Sequence, residues 1–441
     1  MKPTLGRLST GPRFALLALV IGILAAAARH PHDPAANAED NDAAGAAQPA
    51  RPAVVAQATE CRVQLPILLR SAFPDLPTPL AAPSATPATD TATPTEMPGT
   101  TPGTTPDTTP DATPGATPTT SELPSDFEPF GLVQLEPDLV LEGSGSTIDS
   151  LAFWEAPDAA DSLLLVTAKG NQRVEVWQQP FQGRELPALQ HPSFGTGTQV
   201  NGIVVDQDLD QVYIAVSRPA STVSVFELPG LTFQRQLVRG EVDLRSEPNL
   251  ALLALPDGTK RLYVSADDRV HAYDPDTGAA VGGFAPARSL ETMLADDGDQ
   301  VLYIPDEDRR GGIYAYRPDG SPFSRGGEVR FGGDGIFQSD AEGITRFTCR
   351  AADGSDDGRG WLIVSDQKAD ASDFEFFDRR SWSHLGRLQL AGVRLTDGIA
   401  STQQPMPGHP AGLFAAVNAD TNVALIGWDR ILEATGLRCE G

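Results

Sequence analysis

Six short apolar runs decide the fold of this chain: LLLVTAK (163–169), VYIAVSR (212–218), LYVSADD (262–268), LYIPDED (302–308), LIVSDQK (362–368) and LFAAVN (413–418). Their equivalent positions recur about every 40 to 60 residues, an interval typical of propeller blades. Each run is followed by a second apolar run with strand character, from RVEVWQQ (173–179) to NVALIGWDR (422–430). Turn-forming segments such as DPDTG (274–278) separate the runs, and helical periodicity is nearly absent.

These units predict an all-β fold, a six-bladed β-propeller of four-stranded sheets that spans residues 125–441. An array of β-sandwiches is the competing interpretation. Six near-equal units in one continuous segment favour the closed ring.

The N-terminus has the pattern of a secretory signal. Lys2, Arg7 and Arg13 precede one apolar run, residues 14–28, and small residues follow it. The run is short for a membrane span, which needs about 20 residues. We therefore predict a signal peptide over residues 1–38, no membrane span after its cleavage, and a secreted, extracellular protein. A retained anchor, which would tether the protein to the cell surface, is the alternative.

Residues 39–124 are of low complexity, first Ala-rich and then Thr/Pro-rich, with one short apolar patch at residues 61–70. No Lys or Arg occurs between Arg70 and Lys169. Such a composition buries almost no apolar surface, so this segment is predicted to be a disordered linker. It would serve either as a stalk or as a passive spacer.

The charge of the chain limits its partners. The 59 acidic and 33 basic side chains give a formal charge of -26, which argues against binding to nucleic acid. An anionic substrate would need a local reversal of charge, for which a metal ion is the obvious candidate. The three cysteines form no CxxC pair, so a structural zinc site is not expected. Cys349 and Cys439 could form a disulfide, a question that the sequence leaves open.

Covalent catalysis has little support, because GxSxG, GxxxxGK[ST] and HExxH motifs are all absent from the sequence. Carboxylates instead recur near the ends of the β runs, where loops would emerge on one face of a propeller: Asp149, Asp267, Asp268, Glu291, Asp296, Asp297, Asp306, Glu307, Asp308, Asp340, Glu342, Asp366, Asp397 and Asp420. Hard oxygen ligands from several blades are what Ca²⁺ requires. The alternative is that acidic loop tips only keep the protein soluble.

Several segments of the C-terminal third resemble the β-propeller phytases, a family of calcium-dependent phosphomonoester hydrolases. The resemblance extends more loosely over the chain from about Thr147 to Leu437. Its best-matching segments are SDAEGI (339–344), GWLIVSDQ (360–367), TDGI (396–399), HPAGLF (409–414) and GWDRI (427–431). Earlier segments that follow the family pattern are IDSLAFW (148–154), LETMLADD (290–297) and YIPDED (303–308).

The resemblance implies a site. The catalytic residues would be Asp340, Glu342 and Glu291. Calcium would be held by the carboxylates of Asp149, Glu291, Asp306, Glu307, Asp340, Glu342 and Asp397. Lys169 and Arg218 occupy positions at which the family binds phosphate.

The function implied is hydrolysis of phytate or similar inositol phosphates by a calcium-activated water molecule, in a protein expected to be monomeric. Position 267 departs from the family pattern, since Asp267 stands where a further phosphate-contacting lysine is expected. Two alternatives therefore stay open: a weak or inactive phytase-like propeller that serves as a binding module at the surface, and a different hydrolase on the same scaffold.

Overall fold

The computed structural model describes residues 125–439 except for 144–146, 182–193, 195–196, 219–220, 240–246, 267, 287–289, 291, 309 and 334. The predicted signal peptide (1–38) and linker (39–124) lie outside the described residues.

The described residues form six β-sheets, which we call blades 1 to 6 in chain order. Blade 1 contains β3 (Ile148–Trp154), β4 (Leu163–Ala168) and β5 (Arg173–Gln178); blade 2 contains β6 (Gln199–Asp206), β7 (Gln211–Arg218), β8 (Thr222–Glu227) and β9 (Thr232–Arg239); blade 3 contains β10 (Leu250–Ala254), β11 (Lys260–Ala266), β12 (Arg269–Tyr273) and β13 (Ala280–Phe284). Blade 4 contains β14 (Leu294–Asp296), β15 (Val301–Pro305), β16 (Ile313–Tyr316) and β17 (Arg330–Phe331); blade 5 contains β18 (Ala341–Arg350), β19 (Asp356–Asp366), β20 (Asp373–Asp378), β21 (His384–Leu390) and the N-terminal β1 (Leu132–Leu135); blade 6 contains β22 (Ile399–Thr402), β23 (Leu413–Asn418), β24 (Asn422–Gly427) and β2 (Leu139–Glu142). A 3₁₀ turn (Ala159–Asp161) and one helix, α1 (Trp428–Thr435), complete the described elements.

The six apolar runs that predicted the fold are the second strands of the six blades. In blade 1, for example, Leu165 of β4 pairs with Ala152 of β3 on one side and with Val176 of β5 on the other. Consecutive strands within each blade are antiparallel. The predicted six-bladed propeller is confirmed.

Each blade packs through both of its faces, which explains why the runs are continuously apolar rather than alternating. Leu163 and Leu165 of β4 belong to a hydrophobic cluster shared with blade 2, whereas Leu164 and Val166 belong to a cluster shared with blade 6. Successive side chains of a strand point to opposite faces, so one run supplies the core on both sides. The described residues form six such clusters, one for each junction between neighbouring blades, and the ring is therefore closed.

A disulfide joins Cys349 of β18 to Cys439, which follows α1, with 5.3 Å between the two Cα atoms. It answers the question that the sequence left open. The bond ties the C-terminal segment to blade 5, next to the cluster that contains Phe347, Trp361 and Trp428. No helix in the described part of the chain combines the length and the apolar character needed to cross a membrane.

Candidate functional site at the channel mouth

The topology brings the predicted site residues to one face of the propeller. We call β3, β6, β10, β14, β18 and β22 the inner strands. Each inner strand begins at the same face of the propeller, and the antiparallel second strand of the blade ends at that face. We call it the upper face. Asp149 lies at the start of β3, Lys169 directly after β4 and Arg218 at the end of β7. Residues that are distant in sequence are therefore grouped at one end of the central channel.

A small cavity at this face, which we call the mouth cavity, is enclosed by several blades. Its volume is about 20 Å³, which is enough for one water molecule or one ion. It is lined by Asp149, Ser150, Glu247, Pro248, Asn249, Thr292, Glu342, Asp397 and Gly398. Four of these residues, Ser150, Asn249, Thr292 and Gly398, also line the central channel of about 240 Å³, so the two cavities adjoin.

Two glycines allow the acidic strand starts to approach one another closely. A Cβ atom at Gly343 would lie 2.5 Å from the backbone oxygen of Asp397, and one at Gly398 would lie 2.3 Å from the backbone oxygen of Asp149. Both distances are shorter than real Cβ contacts allow. The backbone segments that carry Glu342, Asp397 and Asp149 approach one another because glycine follows the first two residues.

A hydroxyl group on the second strand fixes the start of the inner strand in three blades, an arrangement that the sequence analysis missed. The backbone N–H of Ser150 donates to Thr167 Oγ1 at 3.0 Å, and that of Gly343 donates to Ser365 Oγ at 2.8 Å. In blade 3 the N–H of Asn249 donates to Ser265 Oγ at 2.7 Å. The signal was present in the aligned runs, since VTA, VSA and VSD each carry a hydroxyl at the same place.

Lys169, one of the two predicted phosphate ligands, lies between two carboxylates. Its Nζ is 2.9 Å from Asp149 Oδ1 and also forms a salt bridge with Glu247, and the lysine side chain is 11% exposed. Burial disfavours the charged ammonium group, but Asp149 and Glu247 outweigh it and raise the pKa of Lys169. Arg218, the other predicted phosphate ligand, is exposed and makes no ion pair with the residues that the structure describes.

Asp397 shows the electrostatic strain of the mouth cavity most clearly. Burial, the negative charge of Asp149 and a hydrogen bond with Asp420 raise the pKa of Asp397 to about 8. The amide of Gln367 also donates to Asp397 Oδ1. Burial likewise raises the pKa of Asp149, although Lys169 opposes the shift. Asp397 therefore keeps its proton up to about pH 8 unless a cation approaches.

The remaining predicted ligands are dispersed over the upper face. Glu342 is 6% exposed and lines the mouth cavity, whereas Asp340 is exposed and lies outside its lining. Asp306 is buried and Oδ1 accepts from the backbone N–H of Asp308 at 3.1 Å, within the loop that follows β15; Glu307 is half-buried in the same loop. Glu291, predicted both to act in catalysis and to bind metal, lies outside the described residues, as does Asp267.

A second acidic group lies in blade 5. Asp366, Asp373 and Glu375 are buried and are the only three carboxylates among the described residues whose oxygens all lie within 4.8 Å of one another. Two cations lie beside this group, since Lys368 Nζ is 2.7 Å from Asp373 Oδ2 and Arg387 reaches the same oxygen at 3.3 Å. His384 Nε2 lies 2.7 Å from Glu375 Oε2. These contacts describe an internal ion-pair network in blade 5.

The mouth cavity offers donors of the type that calcium prefers, but no three of its carboxylates have oxygens within 4.8 Å of one another as they are placed. Asp149, Glu342, Asp397 and Glu247 supply carboxylate oxygens from separate segments around an ion-sized space. Hard oxygen donors in a loose arrangement suit Ca²⁺. Burial first, and the charge of Asp149 second, raise the pKa of Asp397, and a nearby cation would oppose both effects.

The sheets, the closed ring of clusters and the acidic channel mouth define the class of the molecule: a six-bladed β-propeller with a carboxylate-lined cavity on its upper face. No protein-family model matches the chain. Among solved structures it is similar to a chain of the crystal structure of the mitotic checkpoint complex, with 11% identity, a TM-score of 0.43 and coverage of 66% of this chain and 95% of that one. It is also similar to the Pan2 WD40 domain of Neurospora crassa, with 13% identity, a TM-score of 0.40 and coverage of 62% and 73%.

Proposed function

We propose that this protein is a secreted, calcium-dependent phosphomonoester hydrolase of the phytase type, which acts on phytate or a similar phosphorylated small molecule. The observation that carries the proposal is the mouth cavity, which is lined by Asp149, Glu342 and Asp397 from three blades and lies beside Lys169, the ion-pair partner of Asp149. The motif resemblance supports the same assignment, because TDGI (396–399) and AEGI (341–344) supply two of these carboxylates.

Each side chain has a role in this proposal. Asp149, Glu342 and Asp397 would hold the metal, and calcium, when bound, supplies a Lewis acid that neutralises phosphate charge. Glu342 orients the attacking water and accepts its proton, as a buried carboxylate beside the cavity can do. The exposed guanidinium of Arg218 binds a phosphate oxygen at the rim of the upper face.

The acidity of the chain is consistent with a polyanionic substrate only if a metal is present. With a formal charge of -26, the protein as a whole repels phytate, and part of that charge lies at the mouth cavity. Bound calcium would offset part of the negative charge where the phosphate has to approach. The disulfide between Cys349 and Cys439 is compatible with the predicted export of the protein.

The test is release of inorganic phosphate from phytate by the purified protein, with calcium and with a chelator. We expect release in calcium and a loss of at least about 100-fold in chelator, restored when calcium is returned. Calcium binding without phosphate release would instead support the binding-module alternative. Phosphate release that is insensitive to chelator would overturn the calcium mechanism.

A further inference from the structure

We propose that a groove between blades 1 and 2 binds a small organic cation with an apolar body, that is, an alkyl or aryl amine. The groove lies at the end of the propeller opposite the upper face, because β3 begins at the upper face and ends at Trp154, which lines the groove. We call this end the lower face. The inference goes beyond the proposed function and does not rest on it.

The groove is large enough to hold a ligand. Its volume is about 840 Å³, within the range of about 300–1,000 Å³ that is usual for small-molecule sites. Blade 1 forms one wall, and the turn between β8 and β9 of blade 2 forms the other with Pro229 and Gly230.

The floor of the groove is apolar. Four of the side chains that line it belong to the hydrophobic cluster packed between blades 1 and 2: Trp154, Leu163, Val176 and Leu231. The core of this junction therefore extends to the lower face, where Pro157 and Pro229 are exposed at the rim. An alkyl or aryl group placed here would continue the packing of the cluster and lose its own contact with water.

The polar side of the groove is negatively charged. Asp158 and Asp161 line it, and no Lys, Arg or His is found among the described residues of the lining. Asp158 Oδ1 accepts from the backbone N–H of Ala160 at 3.1 Å, and Asp161 Oδ1 accepts from Gln178 Nε2 at 3.1 Å. These contacts hold both carboxylates on one short 3₁₀ turn (Ala159–Asp161), and both side chains are exposed.

Charge complementarity therefore selects a cation. Two carboxylates without a basic neighbour in the lining attract an ammonium group, and the formal charge of -26 attracts cations to the protein and repels anions. A cation with an apolar body matches both the floor and the charged side of the groove.

The first experiment compares three probes of equal chain length by titration calorimetry at pH 7: octylamine, which is protonated, octanol and octanoate. Octylamine should bind at least about tenfold more tightly than octanol, and octanoate should bind most weakly. Equal affinities for octylamine and octanol would overturn the role of the carboxylates. Absence of octylamine binding would overturn the site, as would occupation of the groove by another part of this chain or by a second copy.

The second experiment removes the charge of the groove with Asp158→Asn and Asp161→Asn. Asparagine keeps nearly the same shape and can still cap the 3₁₀ turn at position 158. Each variant should weaken octylamine binding by at least about threefold and leave octanol binding unchanged. Asp353→Asn is the matched control, because Asp353 is an exposed carboxylate in the turn between β18 and β19, outside the lining. An equal loss in Asp353→Asn would mean that the net charge alone attracts the amine, and would overturn the site.

The third experiment fills the groove with Gly230→Leu. A Cβ atom at Gly230 would meet only Thr232 Oγ1, at the ordinary contact distance of 3.4 Å, so the exposed position accepts a side chain. The variant should weaken octylamine and octanol binding alike by at least about fivefold. Gly131→Leu, where nothing lies within 4 Å of the added Cβ, is the control and should bind both probes as the wild type does. Circular dichroism verifies that each variant is folded, and wild-type affinity in folded Gly230→Leu would overturn the assignment to this groove.

Discussion

Leu139 of β2 is the register partner of Leu425 of β24, so a strand that precedes blade 1 completes blade 6. The neighbouring contacts strengthen this junction: the backbone N–H of Asp138 donates to Leu425 O at 2.8 Å, and Asp138 Oδ2 accepts from the N–H of Gly427 at 2.7 Å. The ring is thus closed by pairing the beginning of the propeller with its end.

Two N-terminal truncations should therefore differ in melting temperature: one that ends before β1, and one that also removes β1 and β2. A chain that starts at Ser125 should melt like the mature protein, because residues 39–124 are predicted to bury almost nothing. A chain that starts at Thr147 lacks both closing strands and should melt at least about 10 °C lower. Thermal unfolding followed by circular dichroism makes the comparison. Insolubility of the chain that starts at Ser125 would show the linker prediction to be wrong.

The disulfide should contribute measurably to stability. Cys349 and Cys439 close a loop with a sequence separation of 90 residues, and such a bond typically contributes about 2–5 kcal/mol. Cys439→Ser should lower the free energy of unfolding by that amount in guanidinium titrations. Reduced wild-type protein should match the variant. If the oxidised wild type and Cys439→Ser unfolded at the same denaturant concentration, the bond would have no stabilising role.

The fold could be predicted because the second strands are buried on both faces. The core of each run, such as LLLV (163–166), is apolar without alternation because the strand faces two neighbouring blades. The regular recurrence of the runs indicates the number of blades. The pairing of β2 with β24 was not predicted, because LVLE (139–142) carries no signal that names its partner. Long-range partners of short edge strands are set by ring closure rather than by local pattern.

The sequence predicted which residues belong to the candidate site, but it did not predict which of them contact one another. Asp149, Glu342 and Asp397 were identified through motifs, and they line one cavity. Glu247 was missed, because its contact with Lys169 joins a loop before β10 to the end of β4 and depends on the closed ring. Asp340 was predicted together with Glu342 as catalytic and metal-binding, and the structure places Asp340 before the start of β18, where it is exposed.

The raised pKa of Asp397 gives a prediction for the pH dependence of stability without calcium. The pKa is about 8 in the folded protein and about 3.9 in an unfolded chain. Between these values the folded state holds a proton that the unfolded state has lost, so stability should fall as the pH rises from about 4 to about 8. Urea titrations in chelator at several pH values measure the slope.

Asp397→Asn tests whether Asp397 causes this fall in stability with pH, because asparagine has nearly the shape of aspartate and cannot ionise. Its stability should decline less over the same pH range than that of the wild type. Calcium should also flatten the wild-type slope, since a bound cation favours the charged carboxylate. A wild type whose stability rises steadily from pH 5 to pH 8 in chelator would contradict the assignment.

The last prediction separates the two neighbouring acidic residues of the SDAEGI segment. Glu342 lines the mouth cavity and is buried, so Glu342→Gln removes a charge where it can orient water or accept its proton. We expect the rate of calcium-dependent phosphate release to fall by at least about 100-fold, the lower end of a general-base contribution. The measurement is the rate at saturating phytate and calcium, with calcium affinity determined in parallel so that loss of metal is distinguished from loss of the base.

Asp340→Asn is the matched control, because it makes the same change two residues away on an exposed carboxylate outside the cavity lining. Its rate should stay within about threefold of the wild type, as expected for an exposed carboxylate whose charge is screened by solvent. Full activity of Glu342→Gln would mean that Glu342 neither orients the attacking water nor accepts its proton. An equal loss in both variants would instead place Asp340 in the reaction, and the substrate would then extend over the rim of the upper face beyond the mouth cavity.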